Sequence, residues 1–209
     1  RYVWVDLRAD ERAYYEQLER ELRITVSGEE KLSVTNLIAL LIRLRQVVDE
    51  PEVFEIPAPA SKQVALNELL QDKKPTLVFT EFAMLAHRLA KKYGAPIIAG
   101  DIPLAARNAA VTGFQAGVHP LLVSTAAGGY GLNLTAAKRV IHFGVPYNNA
   151  RVNQRVSRAW RRGQVDEVEE VFLLARKTVD EKMLKIVERK KDHERKFSKA
   201  ELQHILLDE

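Results

Sequence analysis

Five arginines stand within twelve residues, Arg151 to Arg162, with no acidic side chain among them. On a helix advancing about 100° per residue, Gln154, Arg158 and Arg161 fall at steps of four and three, within an arc of roughly 60°. Val152, Val156 and Ala159 fall on a different face, suited to packing against a core, and Gly163 supplies a helix stop. Packed on one side, such a helix would hold two guanidiniums and an amide at one height. A planar guanidinium matches phosphate oxygens. Taken alone, the segment reads equally well as a solvated basic face.

The segment upstream, LLVSTAAGGYGLNL at 121–134, points the same way. Leu121–Val123 is a short apolar run of β character, ended by the hydroxyls of Ser124 and Thr125. Gly128, Gly129 and Gly131 follow. Glycines permit close backbone approach and leave N–H groups free to face an anion. In isolation this is an ordinary glycine turn. A glycine segment ending 23 residues before Gln154 of an arginine-rich helix is a stronger joint signal for phosphate chemistry.

These groups need a scaffold. From Thr76 the runs TLVFT, PII, LLVS, RVIHF and VEEVFLL alternate with helical stretches near 82–93, 103–116 and 149–161. That alternation predicts an α/β fold, a parallel sheet with helices on both faces. Ligands of such sheets sit outside the carboxyl ends of the strands, where Thr80, Gly100, Asp101, Thr125 and the glycine segment all fall.

Residues 1–60 read as a helical lead-in, 61–177 as the α/β lobe and 178–209 as a helical tail. Asp10 is placed to cap a helix carrying Tyr14, Leu18 and Leu22, and 25–34 reads as a loop. Thr35 is placed to cap a second helix with Leu37, Leu40, Leu41, Leu44 and Val48, stopping before Pro51. A proline-broken connector leads to Ser61, a cap for a third helix. In the tail, Thr178 to Glu181 has capping-box spacing. Ten Lys or Arg against five acids between Arg176 and Lys199 form a solvated face or a docking surface.

STAAGGYGLNLTAAKRVIHF and NQRVSRAWRRGQ resemble the fifth and sixth motifs of the second motor lobe of superfamily-two helicases, and more narrowly of SWI/SNF-type remodelling ATPases. TLVFTEF resembles the fourth motif, IIAGDIPLAARNAAVTGFQAG the segment after it, and NLIALLIRLRQVVDEP the helix before the lobe, so the likeness runs along nearly the whole chain. The resemblance implies a RecA-like lobe of a double-stranded DNA translocase that uses ATP with Mg²⁺, the metal being held mainly by an N-terminal RecA-like lobe. It implies Arg158 and Arg161 as arginine fingers, with Gln154, Gly131 and Asn133 at the nucleotide. Thr80, Gly100, Arg107, Thr125, Gly128 and Gly129 are the expected nucleic-acid contacts, Arg107 serving equally well in a surface ion pair on its helix. A further protein partner is open.

The chain departs from the family pattern in GVPYNNA, with Gly144 and Pro146 where acids are usual and Tyr147 where tryptophan is usual. Trp160 replaces the usual histidine inside the sixth motif, and Arg162 an apolar residue. No G-x-x-x-x-G-K-[ST] phosphate loop and no strand-ending acidic pair occur in the sequence. The chain therefore reads as half of a two-lobed motor, inactive alone. Two other readings stay open: a lobe of another superfamily-two DNA or RNA helicase, and a degenerate, non-catalytic interaction scaffold.

Composition adds bounds. At 209 residues and 46% apolar content, one packed domain with a helical appendage is expected. A net charge of +4 makes any nucleic-acid argument depend on local placement. The absence of cysteine excludes disulfides and thiolate zinc sites. His87, His119, His142, His193 and His204 lack metal-ligand spacing and read as surface or packing residues, so no metal site is expected. No apolar run approaches 18 residues and no signal-like start is visible, which suits a soluble intracellular protein with no membrane partner.

Overall fold

The computed structural model describes residues 1–28, 33–125, 134–146, 168–189 and 198–207. In chain order these residues form β1 (Tyr2–Val5), α1 (Ala9–Gly28), α2 (Val34–Asp49), a 3-10 turn (Pro51–Phe54), α3 (Ser61–Leu69), β2 (Thr76–Thr80), α4 (Ala83–Tyr93), β3 (Ile97–Ile98), α5 (Leu104–Gln115), β4 (Leu121–Thr125), β5 (Arg139–Phe143), β6 (Glu169–Ala175), α6 (Val179–Arg189) and α7 (Lys199–Leu207). The chain divides into two compact units. One is built chiefly from Leu66–Pro146 and the strand residues to Leu173, the other from Trp4–Ala65 and Leu174–Glu209.

The first unit carries the sheet, in the order β1-β6-β5-β2-β4-β3. β2 lies parallel between β4 and β5, β3 is parallel to β4 and β6 to β5. The amide of Phe172 bonds to the carbonyl of Arg1 and that of Arg176 to Val5, an advance in the same sense along β1 and β6. Every residue of β2, β4 and β5 is buried, as expected of strands covered on both faces. One such face packs Leu77, Phe79, Leu122 and Val140 with Ala110 and Phe114 of α5. α4 packs against β2, β3 and β4 through Leu85, Ala86, Leu89 and Ala90. The expected parallel α/β sheet is thus present.

The sheet's amino edge is held by charge. Arg139, whose side chain is 4% exposed, sends Nε to Glu169 at 2.8 Å and its two terminal nitrogens to Asp72. Arg1 and Lys74 also reach Glu169, at 3.1 and 3.5 Å.

The second unit is helical. α2 buries Leu37, Leu41, Leu44 and Val48, and α7 packs on α1 and α2 through Leu202, Ile205 and Leu206. Segments expected as a separate lead-in and tail thus fall in one unit. Local boundaries differ from the sequence reading. α1 continues through 25–28, and the buried face runs through Glu11, Tyr15, Leu22 and Val26, with Asp10 inside the first turn. α2 is capped by Ser33, whose extended backbone lets its side chain accept the Asn36 amide at 3.2 Å. Ser61 begins α3 but takes its own cap from Glu11, which accepts the Ser61 amide at 2.8 Å. Tyr2–Val5, within a stretch read as helical, is a strand.

Candidate functional site

Register assembles the carboxyl edge of the sheet. Thr80 is level with Thr125 on one side and Phe143 on the other. Ile98 is level with Ser124, so the chain leaves β3 through Ala99 and Gly100 at the height of Thr125. Alternation along the strands puts Thr80, Thr125 and Phe143 on one face and Ser124 on the other, in the row of Phe79, His142 and Phe172. Of the two hydroxyls that end β4, only that of Thr125 therefore stands beside Thr80. Ser124 spends its hydroxyl on the carbonyl of Thr125, at 3.1 Å.

The edge residues differ in what they offer. Thr80 has no accessible surface, and its Oγ1 accepts the Phe82 amide at 3.2 Å, turning the chain into α4. Thr125 is 5% exposed. Gly100 is exposed, and a Cβ built there meets nothing within 4 Å. Gly94 and Gly117, by contrast, have φ of 59° and 74°, which a side chain strains. Neither packing nor backbone conformation thus requires glycine at 100.

Beyond Gly100 the Ile102 amide closes a turn onto Ala99 at 3.2 Å, and α5 begins after Pro103. Arg107, in the first turn of α5, is half-buried, and its Nε is enclosed with no acceptor. The anticipated ion pair on its own helix is missing because α5 contains no acidic residue. Among the described residues no acid pairs with Arg107.

Gly128, Gly129, Gly131, Asn133, Gln154, Arg158 and Arg161 lie outside the described residues, as does Trp160. What the structure does give is the anchoring beside both segments. Thr125 ends β4 before the glycine segment, and Leu134, 1% exposed, begins the chain after it in the hydrophobic core. Gln115 fastens that return, accepting the Ala136 amide at 2.7 Å and donating to Thr135 at 3.1 Å. Ahead of the arginine-rich segment, Gly144 has φ of 98° and donates its amide to the carbonyl of Leu173 at 3.2 Å. Backbone conformation accounts for this departure from the family pattern, because a side chain at that φ is strained.

Two residues of interest escaped sequence reasoning. His87, read as a surface or packing residue, places Nε2 2.8 Å from Oδ2 of Asp101. The one available signal was an acid directly following Gly100. Arg139, the buried clamp at the opposite edge, gave no local signal because Asp72 and Glu169 are distant in sequence. His142 packs, fully buried, with ring centroids 6.2 Å from Phe79 and 4.5 Å from Phe172. Among the described residues no group of three or more His, Asp or Glu could hold a metal ion, and no helix is long and apolar enough to cross a membrane.

The helicase conserved C-terminal domain family matches residues 61–163. The Bacillus subtilis protein named "Putative ATP-dependent helicase/translocase YwqA" is 30% identical over 208 residues, covering 90% of this chain and 22% of that protein. This chain spans about a fifth of the length of the curated relatives it matches first. Among solved structures, the Sulfolobus solfataricus SWI2/SNF2 ATPase C-terminal domain superposes with a TM-score of 0.73 at 20% identity, covering 98% of this chain and 96% of the other. The ATPase core from the same organism in complex with double-stranded DNA gives 0.74 at 23% identity, covering 91% of this chain and 44% of that one.

Proposed function

We propose, from the premise that this chain belongs to the helicase conserved C-terminal domain family, that it is the second motor lobe of a SWI2/SNF2-type, ATP-dependent double-stranded DNA translocase, a reading supported by its likeness to the relatives and folds above. The observation carrying this reading is the carboxyl edge of the sheet. There Gly100, a glycine the fold does not require, follows β3 beside the strand end at Thr125, and the helix that begins after it carries Arg107, which no described acid pairs. Close backbone approach and a spare guanidinium suit a phosphate chain.

We assign Gly100, Arg107, Thr125, Gly128 and Gly129 to the DNA backbone. Thr80, which has no accessible surface, acts on the same contact by fixing the turn into α4. Contacts of this kind hold register on phosphates without reading sequence, as sliding along any duplex requires.

ATP with Mg²⁺, bound between this lobe and an N-terminal RecA-like lobe that holds most of the metal's ligands, supplies the phosphoryl group whose hydrolysis drives the cycle. The anchored chain on either side of the glycine segment fits such a ligand, because open α/β sheets bind ligands at this edge. Gly131 and Asn133 face the nucleotide and Gln154 orients Arg158 and Arg161. These two serve as arginine fingers, a role worth about 10³–10⁵ in rate. Lobe closure and reopening then move the protein along the duplex inside the cell. A further protein partner fits the same reading.

The test is the ATPase rate of the full-length protein with and without duplex DNA, beside an Arg158→Ala, Arg161→Ala double variant. Strong duplex stimulation, lost in a folded variant that still binds DNA, is the expected result; this chain alone should show no turnover. Stimulation by RNA or single strands instead would indicate another superfamily-two helicase. A folded, duplex-bound protein without turnover would indicate an interaction scaffold.

A further inference from the structure

A carboxylate stands beside the proposed phosphate contact. Asp101 follows Gly100 directly and its side chain is 61% exposed. A phosphate held by the backbone at Gly100 would lie at about 6 Å from that carboxylate, where like charges weaken binding about three- to tenfold, depending on the effective dielectric. The fold answers this charge with His87, in the second turn of α4, whose Nε2 lies 2.8 Å from Asp101 Oδ2. A carboxylate only accepts, so the ring nitrogen donates. The pair ties a helix to a loop at one edge, since α4 follows β2 just after Thr80 and Asp101 follows β3 just after Gly100. These strands flank β4, which ends at Thr125.

We infer that His87 is a positioning residue for the nucleic-acid backbone: it draws the Asp101 carboxylate towards α4 and sets an N–H donor against its charge, leaving the backbone at Gly100 open to a phosphate. This rests on the assignment of Gly100 to DNA made above. His87 itself touches no DNA in this arrangement. A protonated His87 cancels the acid's charge, and a neutral one still fixes its direction.

The test is fluorescence anisotropy of a labelled short duplex with the full-length protein at low salt. His87→Ala should weaken binding about three- to tenfold, as a carboxylate left free to face a bound phosphate does. Asp101→Asn should bind at least as tightly as the wild type. The His87→Ala, Asp101→Asn double variant should return to the wild-type value, and His87→Lys should keep it. All four should share the wild-type unfolding midpoint. If the pair only anchors the loop, Asp101→Asn will be as damaging as His87→Ala and the double variant will not recover; that result, or an unaffected His87→Ala, overturns the inference alone. A wild-type protein that fails to bind duplex overturns the proposed function, and the inference with it, before any variant is compared.

Discussion

Lys62 is the residue whose loss should unsettle the helical unit most. Its Nζ lies 2.6 Å from Asp49 Oδ1 and 2.6 Å from Asp180 Oδ2, with side-chain exposures of 0%, 1% and 1%. Asp180 also accepts the Ala175 amide at 3.0 Å. One ammonium thus serves two carboxylates in a dry site. The two ends of this arrangement respond differently. Desolvation alone would lower the Lys62 pKa, but two carboxylates outweigh it and hold the group above its ordinary value. Asp49 has only a share of one cation, with help from Arg45, so burial pushes its pKa up.

Lys62→Met keeps an unbranched side chain of similar volume and removes the charge. Breaking a buried ion pair costs roughly 3–5 kcal/mol, a large part of the roughly 5–15 kcal/mol that holds a domain folded. At this size that corresponds to a midpoint lower by roughly 6–20 °C. Urea unfolding followed by circular dichroism at pH 7 and pH 5 measures it. The sign with pH is set by Asp49. An acid whose folded pKa lies above its unfolded value adds stability as pH falls from the folded towards the unfolded value. Without Lys62 the Asp49 carboxylate is pushed further up, so the deficit at pH 7 should shrink at pH 5. Adding Asp49→Asn should recover part of it. A loss below about 1 kcal/mol, within the range of exposed pairs, or one equal at the two pH values, would refute a dry, charged contact.

Gly100→Ala should leave the unfolding midpoint unchanged or slightly raised, since Gly-to-Ala at a compatible position stabilises by about 0.4–1 kcal/mol through the unfolded chain. Duplex-stimulated ATPase of the full-length protein should fall; unaltered stimulation would remove Gly100 from the contact. Arg139→Met should destabilise by about 1–3 kcal/mol, the cost of stranding hydrogen-bonded partners, here moderated because Asp72 is 43% and Glu169 25% exposed. The Arg139 hydrogen bond holds Asp72 at about 2, below its ordinary 3.8. A depressed carboxylate gives stability that is present above the ordinary value and lost as pH falls through the folded one. Acid titration between about pH 4 and pH 2 should therefore show a stability loss in the wild type that Arg139→Met lacks.

The sheet was legible because its strands are continuous apolar runs between turn residues, as in TLVFT and RVIHF, and burial on both faces needs no alternation. β1 was not, because four residues at the start of the chain carry little pattern and are stabilised by pairing with β6, far along the sequence. Hydroxyl caps were legible in kind but not in position. Ser33 and Thr35 are chemically alike, and the backbone leading into α2 selects Ser33. At the site, strand ends located Thr80, Thr125 and Gly100, whereas the engagement of Thr80 with Phe82 and of His87 with Asp101 follows from how loops close in space. The Lys62 cluster could not be read at all, since its members come from α2, α3 and α6.

The helical unit is also interrupted in sequence, which bears on how it is made. Tyr15 gives its hydroxyl oxygen to the amide of Val179, 164 residues later. At synthesis rates of 5–20 residues per second, roughly 10–30 s separate the emergence of those two partners from the ribosome. Throughout that interval α1 and α2 have no α7 to cover them, and Lys62 has Asp49 but not Asp180. The sheet strands from β2 to β5 emerge inside the same gap, from a continuous stretch of chain. A nascent chain should therefore hold a structured sheet while α1 and α2 still offer apolar surface to chaperones, until α7 emerges to cover them.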